Sequence, residues 1–277
     1  MNDSYNGFQS FFEIVVADTP ELLEAVYRIR YQVLCVQNTF PDMSADDYPD
    51  QLEKDEYDGH SCHALLRFKS TGQYIGAVRL ILVDPNNPEK LFPVEINTHV
   101  DSQLCDLKKI KRQETAEISR VVIASQFERR KGERRKPRDG EGESNESATR
   151  SENNESRRRI VCSGDSKSNG NVIRSDKDRR ATDRRSTPHL SLLLMACVMR
   201  LSVKHNIKHW ISAMEPALNR LLRFYGLNFH CVGPAVNYHG IRRPYCIKVD
   251  EVLSRMHKEN YESWEVLTEC GKYNLSF

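Results

Sequence analysis

The chain has 277 residues, 39% of them hydrophobic and 29% charged, with a net charge of +2, a globular composition with a disordered fraction. No apolar run approaches the ~20 residues of a membrane span, and the N-terminus lacks a basic stretch leading into an apolar one, so no signal peptide and a cytoplasmic location are expected. The charge is divided unevenly: residues 126–187 hold 18 Lys and Arg against 12 Asp and Glu, which leaves the rest net acidic.

Residues 11–16 (FFEIVV) read as a first strand. Residues 20–37 read as a helix, with Asp18 and Thr19 before it and Pro20 suited to its first turn. Leu22, Leu23, Val26, Ile29, Val33 and Val36 form its apolar stripe. Arg30 lies within this helix and, taken alone, reads as a surface residue. Residues 40–60 are acidic and turn-rich and include Glu53, Asp55 and Asp58. Residues 62–68 and 74–83 read as an antiparallel hairpin across Ser70, Thr71 and Gly72, with Arg79 in the second strand. A linker carrying Lys108, Lys109, Lys111 and Arg112 leads to ETAEISRVVI (114–123), where Glu117, Ser119 and Arg120 precede the β-branched run Val121, Val122 and Ile123.

Residues 126–187 have almost no apolar content and are expected to be a disordered insertion. Pro188 then opens a helix with Leu190, Leu193, Leu194, Cys197, Val198 and Leu201 on one face. Residues 207–214 suit a strand, and 216–226 a helix running from Pro216 to Gly226. Strands at 228–238 and 244–249, parted by a turn at His239-Gly240, and a short helix from Asp250 complete the chain. The order β, α, β, β, β, α, β, α, β, β implies an α/β fold with a mixed central sheet. One domain over 1–277, interrupted by the insertion, is expected.

Glu117 is the residue with most chemical promise. A carboxylate beside an apolar strand is costly to bury, and burial would raise its pKa towards that of a general base. Strict alternation puts Glu117 and Ser119 on one face and Arg120 on the other. Either a bulge brings Glu117 and Arg120 together, or they serve different partners. Glu53, Asp55 and Asp58 could bind a cationic group or help place an amine, although alone they read as a solvated turn; their spacing is not that of a calcium loop. Arg79, between Val78 and Leu80, is expected to meet a carboxylate or end at solvent.

His63 and His239 are candidate bases, with a structural role the commoner outcome for a lone histidine. No nucleophile elbow, phosphate loop or HExxH stands out. The eight cysteines (35, 62, 105, 162, 197, 231, 246 and 270) contain no Cys-x-x-Cys pair, so reduced thiols are expected rather than a zinc ribbon or a disulfide framework. The arginine-rich insertion interleaves acidic residues and offers no aromatic platform beyond Phe127, which makes nucleic acid an unlikely partner.

Taken together, these residues resemble the acyl-homoserine lactone synthases and related N-acyl amino acid synthases, which share the acetyltransferase (GNAT-like) fold. Arg30 matches that family's helix arginine, and Glu53, Asp55 and Asp58 match its E-x-D-x-x-D group. Arg79 matches its strand arginine, and Glu117, Ser119 and Arg120 match its E-x-S-R motif. Residues 214–245, MEPALNRLLRFYGLNFHCVGPAVNYHGIRRPY, resemble a narrower group, the acyltransferases associated with PEP-CTERM/exosortase systems of bacteria.

The resemblance implies transfer of a fatty acyl group from an acyl carrier protein, or from coenzyme A, to the amine of an amino acid or related small molecule. No permanently bound cofactor and no metal are implied. Glu117 would be the base. Arg30, Glu53, Asp55, Asp58, Arg79, Ser119 and Arg120 would bind substrate, and the backbone N–H groups of Val121 and Val122 would hold the oxyanion. An apolar tunnel lined by Met195, Met199 and Trp210 would take the acyl tail. Leu34 and Phe40 stand where lactone synthases usually carry Phe and Trp, which disfavours a lactone product. The insertion stands where a Gly-rich phosphate loop is expected, which favours a carrier-protein donor steered by basic residues. The alternatives are a lactone-signal synthase using S-adenosylmethionine and a non-catalytic adaptor that binds an acyl carrier or nucleic acid.

Overall fold

The computed structural model describes residues 3–37, 43–127 and 189–274. The expected insertion therefore lies outside the described residues, apart from Gln126 and Phe127, and so do Phe40 and Pro188.

In chain order the elements begin with α1 (Asp3–Phe11), β1 (Phe12–Val16), α2 (Pro20–Tyr31), β2 (Ser61–Phe68) and β3 (Gln73–Ile81). Then come α3 (Pro93–Asn97), β4 (Thr115–Ile123), α4 (Leu190–Lys204), β5 (His209–Met214) and α5 (Pro216–Phe224). The C-terminal part holds β6 (His230–Cys231), β7 (Val236–Asn237), β8 (Ile241–Lys248), α6 (Val249–Glu259) and α7 (Tyr261–Thr268). The sheet order is β1-β2-β3-β4-β5-β8-β6, with β7 on β8. Only the central pair, β4 and β5, is parallel, so the sheet is mixed.

Most expected elements stand within a residue or two of their places. The helix at 20–37 is α2, capped by Thr19 through its side chain, and it runs on as a π-helical turn over Gln32–Gln37. Three helices were not expected: α1, α3 and α7. The strand expected at 228–238 is broken into the two-residue pieces β6 and β7. Gly233 and Pro234 interrupt it, because proline cannot donate to a ladder.

One face of the sheet carries the main core. The near-wholly apolar α4 packs there on Val78, Leu80, Ala116 and Ile118, with Trp210 beside them. The opposite face is divided into three zones. At one end α2 covers Leu65, Ala77 and Val122. At the other, the segment that follows β3 covers Ile81, Ile211 and Cys246 with Phe92 and Val94. Between these two apolar zones lie the charged residues.

Candidate active site

Arg79 on β3 faces Ser119 on β4, and its Nε donates to the Ser119 hydroxyl at 2.9 Å. Beyond Ser119 the ladder slips: Ala77 pairs with Val122, so Arg120 and Val121 together oppose Val78. This is a β-bulge. Arg120 has φ +50°, a left-handed conformation that costs an L-residue about 1 kcal/mol. The bulge turns Arg120 to the face already occupied by Arg79 and Ser119. Strict alternation is thereby broken: the bulge puts Arg120 on the face of Glu117, yet the two serve different partners, Arg120 binding Glu53 and Asp55 and Glu117 the Val94 N–H.

Three guanidinium groups and three carboxylates then close a ring. Arg30 bonds Glu53 through Nε, and meets Asp58 as a fork with Nη1 to Oδ1 at 2.7 Å and Nη2 to Oδ2 at 3.2 Å. Arg79 Nη1 donates to Asp58 at 3.0 Å and to Asp55 at 2.5 Å. Arg120 donates from Nε to Glu53 and from Nη2 to Asp55, both at 3.0 Å. Each cation touches two anions and each anion two cations. The turn that carries the acids is itself folded onto them, since Asp58 accepts from the Asp55 N–H and Asp55 from the Tyr57 N–H.

Two sequence expectations are corrected here. Arg30 is not a surface residue but fully buried, and Glu53 is buried with it. The acidic segment is likewise not a solvated turn, because three arginines from α2, β3 and β4 draw it inward. Burial acts against every charge in the ring, yet the ion pairs outweigh it. Burial alone would raise Glu53, Asp55 and Asp58, but their arginine partners hold all three below the usual carboxylate range. Arg30 and Arg120 are raised for the same reason, against desolvation. The ring is most open at Asp55 and Arg120, whose side chains are 25% and 16% exposed.

His63 lies beneath the ring with Nε2 3.6 Å from Asp58. Burial and then the nearby Arg30 push its pKa down to about 4, so it is neutral at pH 7 and packs edge-on against Tyr27.

Glu117 takes no part in the ring. It sits one row further along the same face, in the register Ile81, Glu117, Ile211, Cys246 across four strands. Its carboxylate accepts the Val94 backbone N–H at 2.8 Å, at the start of α3. Burial pushes its pKa up to about 8, against the Val94 hydrogen bond and the pull of Arg79 and Arg120. The signal for α3 was present in the sequence: Pro93 opens it, and Glu95 accepts from the Phe92 N–H at 2.8 Å. Arg112 fixes this segment, donating to Glu95 at 2.9 and 3.2 Å and to the Lys90 carbonyl at 2.5 Å.

Tyr238, beside the β7–β8 turn, stands within electrostatic range of the site, which the sequence reading missed. Burial raises its pKa, while Arg120, Glu117 and Asp55 all act on it electrostatically. The turn at His239-Gly240 was legible, but nothing in the sequence tells that it brings Tyr238 within electrostatic range of Arg120.

The parallel ladder of β4 and β5 ends at Glu117 and Ile211. Both strands continue, and the Ser212 hydroxyl bridges the start of the gap by donating to the Ile118 carbonyl at 2.8 Å. An apolar cavity of about 20 Å³ opens there, lined by Ile118, Val121, Met195, Met214, Leu218, Leu222 and Phe229, with Ser191 and Ser212. Val121 and Met195 thus line one cleft. Met199 and Trp210 do not reach it: Met199 is core, and Trp210 donates to Ser202 at 2.8 Å and stacks on Phe229.

Residues 29–135 match the family model described as the acetyltransferase (GNAT) domain. No curated protein matches the chain. Among solved structures, it is similar to the acyl-homoserine lactone synthase LasI, at 13% identity over 87% of this chain and 93% of that one, with a TM-score of 0.43. It is also similar to FeeM, an N-acyl amino acid synthase from uncultured soil microbes, at 11% identity over 89% and 96% with a TM-score of 0.45. A third is BjaI, a CoA-dependent acyl-homoserine lactone synthase solved with SAM and isopentyl-CoA, at 14% identity over 94% and 99% with a TM-score of 0.49. Over residues 29–135, which hold the whole arginine–carboxylate ring and Glu117, the chain is thus similar to the acetyltransferase (GNAT) domain.

Proposed function

We propose that this protein is an acyltransferase that moves a fatty acyl group from an acyl carrier protein or coenzyme A thioester to the amine of an amino acid or a related small molecule. The observation that carries this reading is the position of Glu117: a carboxyl group whose pKa burial raises to about 8, one row from an arginine–carboxylate ring that is open at a single corner.

The acceptor arrives as an ammonium and must lose a proton before its nitrogen can attack. Glu117, directly or through one water, takes that proton, and a base of pKa about 8 is well matched to the task. The acceptor is held at Asp55 and Arg120. A zwitterion offers an ammonium to Asp55 and a carboxylate to Arg120, replacing one exposed ion pair with two while the other five contacts of the ring persist. Arg30, Glu53, Asp58, Arg79 and Ser119 then act by fixing those two groups in place.

The thioester carbonyl lies at the parting of β4 and β5. Backbone N–H groups around Val121 and Val122 stabilise its oxyanion as the tetrahedral intermediate forms. The intermediate collapses to the amide, and the thiolate departs as the thiol with the nitrogen's second proton. The acyl tail enters the cleft at Val121 and Met195, which must widen, since its present volume holds about one water. Exposed Lys108, Lys109 and Lys111 suit an acidic carrier protein as the donor's vehicle.

Incubating the protein with long-chain acyl carrier protein or acyl-CoA and a pool of amino acids, followed by mass spectrometry, tests this. An N-acyl amino acid is the expected product. Absence of any acyl-amine with either donor would sink the reading, and release of methylthioadenosine from S-adenosylmethionine would move it to lactone synthesis.

A further inference from the structure

Two thiols meet on the face that carries Glu117. Cys105 packs against the apolar cluster that holds Cys246, and each thiol perturbs the titration of the other. They lie 141 positions apart in the chain and belong to one apolar cluster with Ile211, Val232, Leu107 and Ile110. Cys246 is on β8, in the same register row as Glu117 and two strands away. Cys105 is on the strap between α3 and β4, and is partly exposed where Cys246 is buried.

The strap is already seated at this point. The Asp101 N–H donates to the Val232 carbonyl at 2.7 Å, and the Cys105 N–H returns to Asp101 at 2.9 Å. The approach at Gly233 is so close that a Cβ there would stand 1.9 Å from the His99 carbonyl oxygen. Backbone contacts thus seat the strap against Val232 and Gly233, and Val232 is itself tied to β8 by its N–H to the Pro244 carbonyl at 3.0 Å.

We propose that Cys105 and Cys246 are a modification site at which a hydroperoxide makes a reversible disulfide, tying the strap to β8. The chemistry divides the two roles. Cys105 is the more exposed thiol, and its neighbour Cys246 lowers its pKa, whereas Cys105 and burial raise that of Cys246. The Cys105 thiolate attacks the O–O bond, becomes a sulfenic acid, and releases water or an alcohol. The Cys246 sulfur then attacks the Cys105 sulfur. The S–S bond forms, the S–O bond breaks, and the departing hydroxide leaves as water with the Cys246 proton. Two sulfurs lose two electrons in total, and the peroxide accepts them. Cys62 and Cys197, which burial pushes up to about 12, are far poorer thiolates.

The site is tested on the full chain treated with hydrogen peroxide, alkylated, and digested without reductant. The expected result is a peptide pair joined through Cys105 and Cys246, released by dithiothreitol and absent from Cys105→Ser. Hydrogen exchange at Asp101 and its neighbours should slow on oxidation in the wild type and not in Cys105→Ser. Recovery of Cys105 and Cys246 as separate alkylated or overoxidised residues, or paired with other cysteines, would overturn the proposal. Exchange unchanged by a mapped bond would overturn the tether. Neither readout depends on the acyl-transfer activity.

Discussion

Val94 donates its main-chain N–H to Oε2 of Glu117 at 2.8 Å, yet the Glu117 carboxyl still titrates at about 8. One backbone donor favours the charged form by less than burial opposes it, because α3 and its strap remove water from the face on which Glu117 stands. The same contact keeps the carboxylate in one orientation, as a base requires.

The first prediction is a pH dependence of two opposite kinds. Turnover should climb with pH and level off above about 8 as Glu117 ionises. Stability should move the other way. The folded state keeps the proton up to about 8, whereas the unfolded chain loses it near the ordinary 4.5. Between those values the native state binds more protons than the unfolded one, so this group's contribution falls as pH rises. Glu117→Gln should lower turnover by roughly 10²–10⁴-fold. It should also raise stability at pH 8 by about 1–3 kcal/mol relative to wild type. Rate profiles and urea midpoints from pH 5 to 9, in ~0.5-unit steps, measure both; a flat rate profile removes Glu117 from the base role.

The second prediction concerns the ring, whose sign is reversed. Glu53, Asp55 and Asp58 are all lowered in the folded state. Their contribution is complete above the unfolded carboxylate range of ~4 and is lost as pH falls through the folded values. Arg30→Met leaves two buried carboxylates short of a partner and should cost about 3–5 kcal/mol at pH 7. Adding Glu53→Gln and Asp58→Asn should return part of that loss. Denaturation of the single and triple variants at pH 7 and pH 4 separates the charge effect from simple loss of packing.

Much of this was legible in the sequence, and the failures have physical causes. The β-branched run of β4, the capped start of α2 and the hairpin of β2 and β3 are local patterns, and local patterns survive folding. The burial of Arg30 is not local. It depends on Glu53 and Asp58, which are 23 and 28 positions away, so a helical wheel makes Arg30 look exposed. The bulge at Arg120 was an open alternative because a non-glycine residue in the left-handed region announces nothing in its sequence. The resemblance to a known motif singled out the seven polar residues that the fold brings together, but the closure of the ring is a fact of three dimensions. Tyr238 was missed for the same reason.

The third prediction follows from the strain at Arg120. Arg120→Gly relieves the positive φ, which is worth about 1 kcal/mol, but deprives Glu53 and Asp55 of a partner. Arg120→Lys keeps the charge and the strain and loses the fork that spans both carboxylates. Both variants should therefore raise the KM for the amine acceptor by at least 10-fold, because the acceptor's carboxylate has lost its bidentate donor, while the KM for the acyl donor stays within about twofold. Steady-state kinetics with each substrate varied in turn distinguishes the two constants. A rise confined to the donor would remove Arg120 from the acceptor site.

The last prediction concerns the acyl tail. The cleft between β4 and β5 has a volume of about 20 Å³, enough for a water and too small for a chain of methylenes. A tail must therefore displace side chains, and Met195 is suited to this, being unbranched and adaptable where its neighbours Ile118 and Val121 are stiff at χ1. Met195 reaches the cleft from α4, on the turn after Ser191, so shortening it opens space along the helix without touching either strand. Met195→Ala should cost about 2–4 kcal/mol of stability and shift the preferred donor to longer chains, since the added methylenes fill the new space at roughly 0.8 kcal/mol each. Met195→Phe, which fills the same region with a rigid ring, should shift the preference to shorter chains. Competition among mixed-length acyl donors, read by mass spectrometry of the product, reports the ratio directly. An unchanged chain-length profile in both variants would place the tail elsewhere and leave Met195 as part of the core.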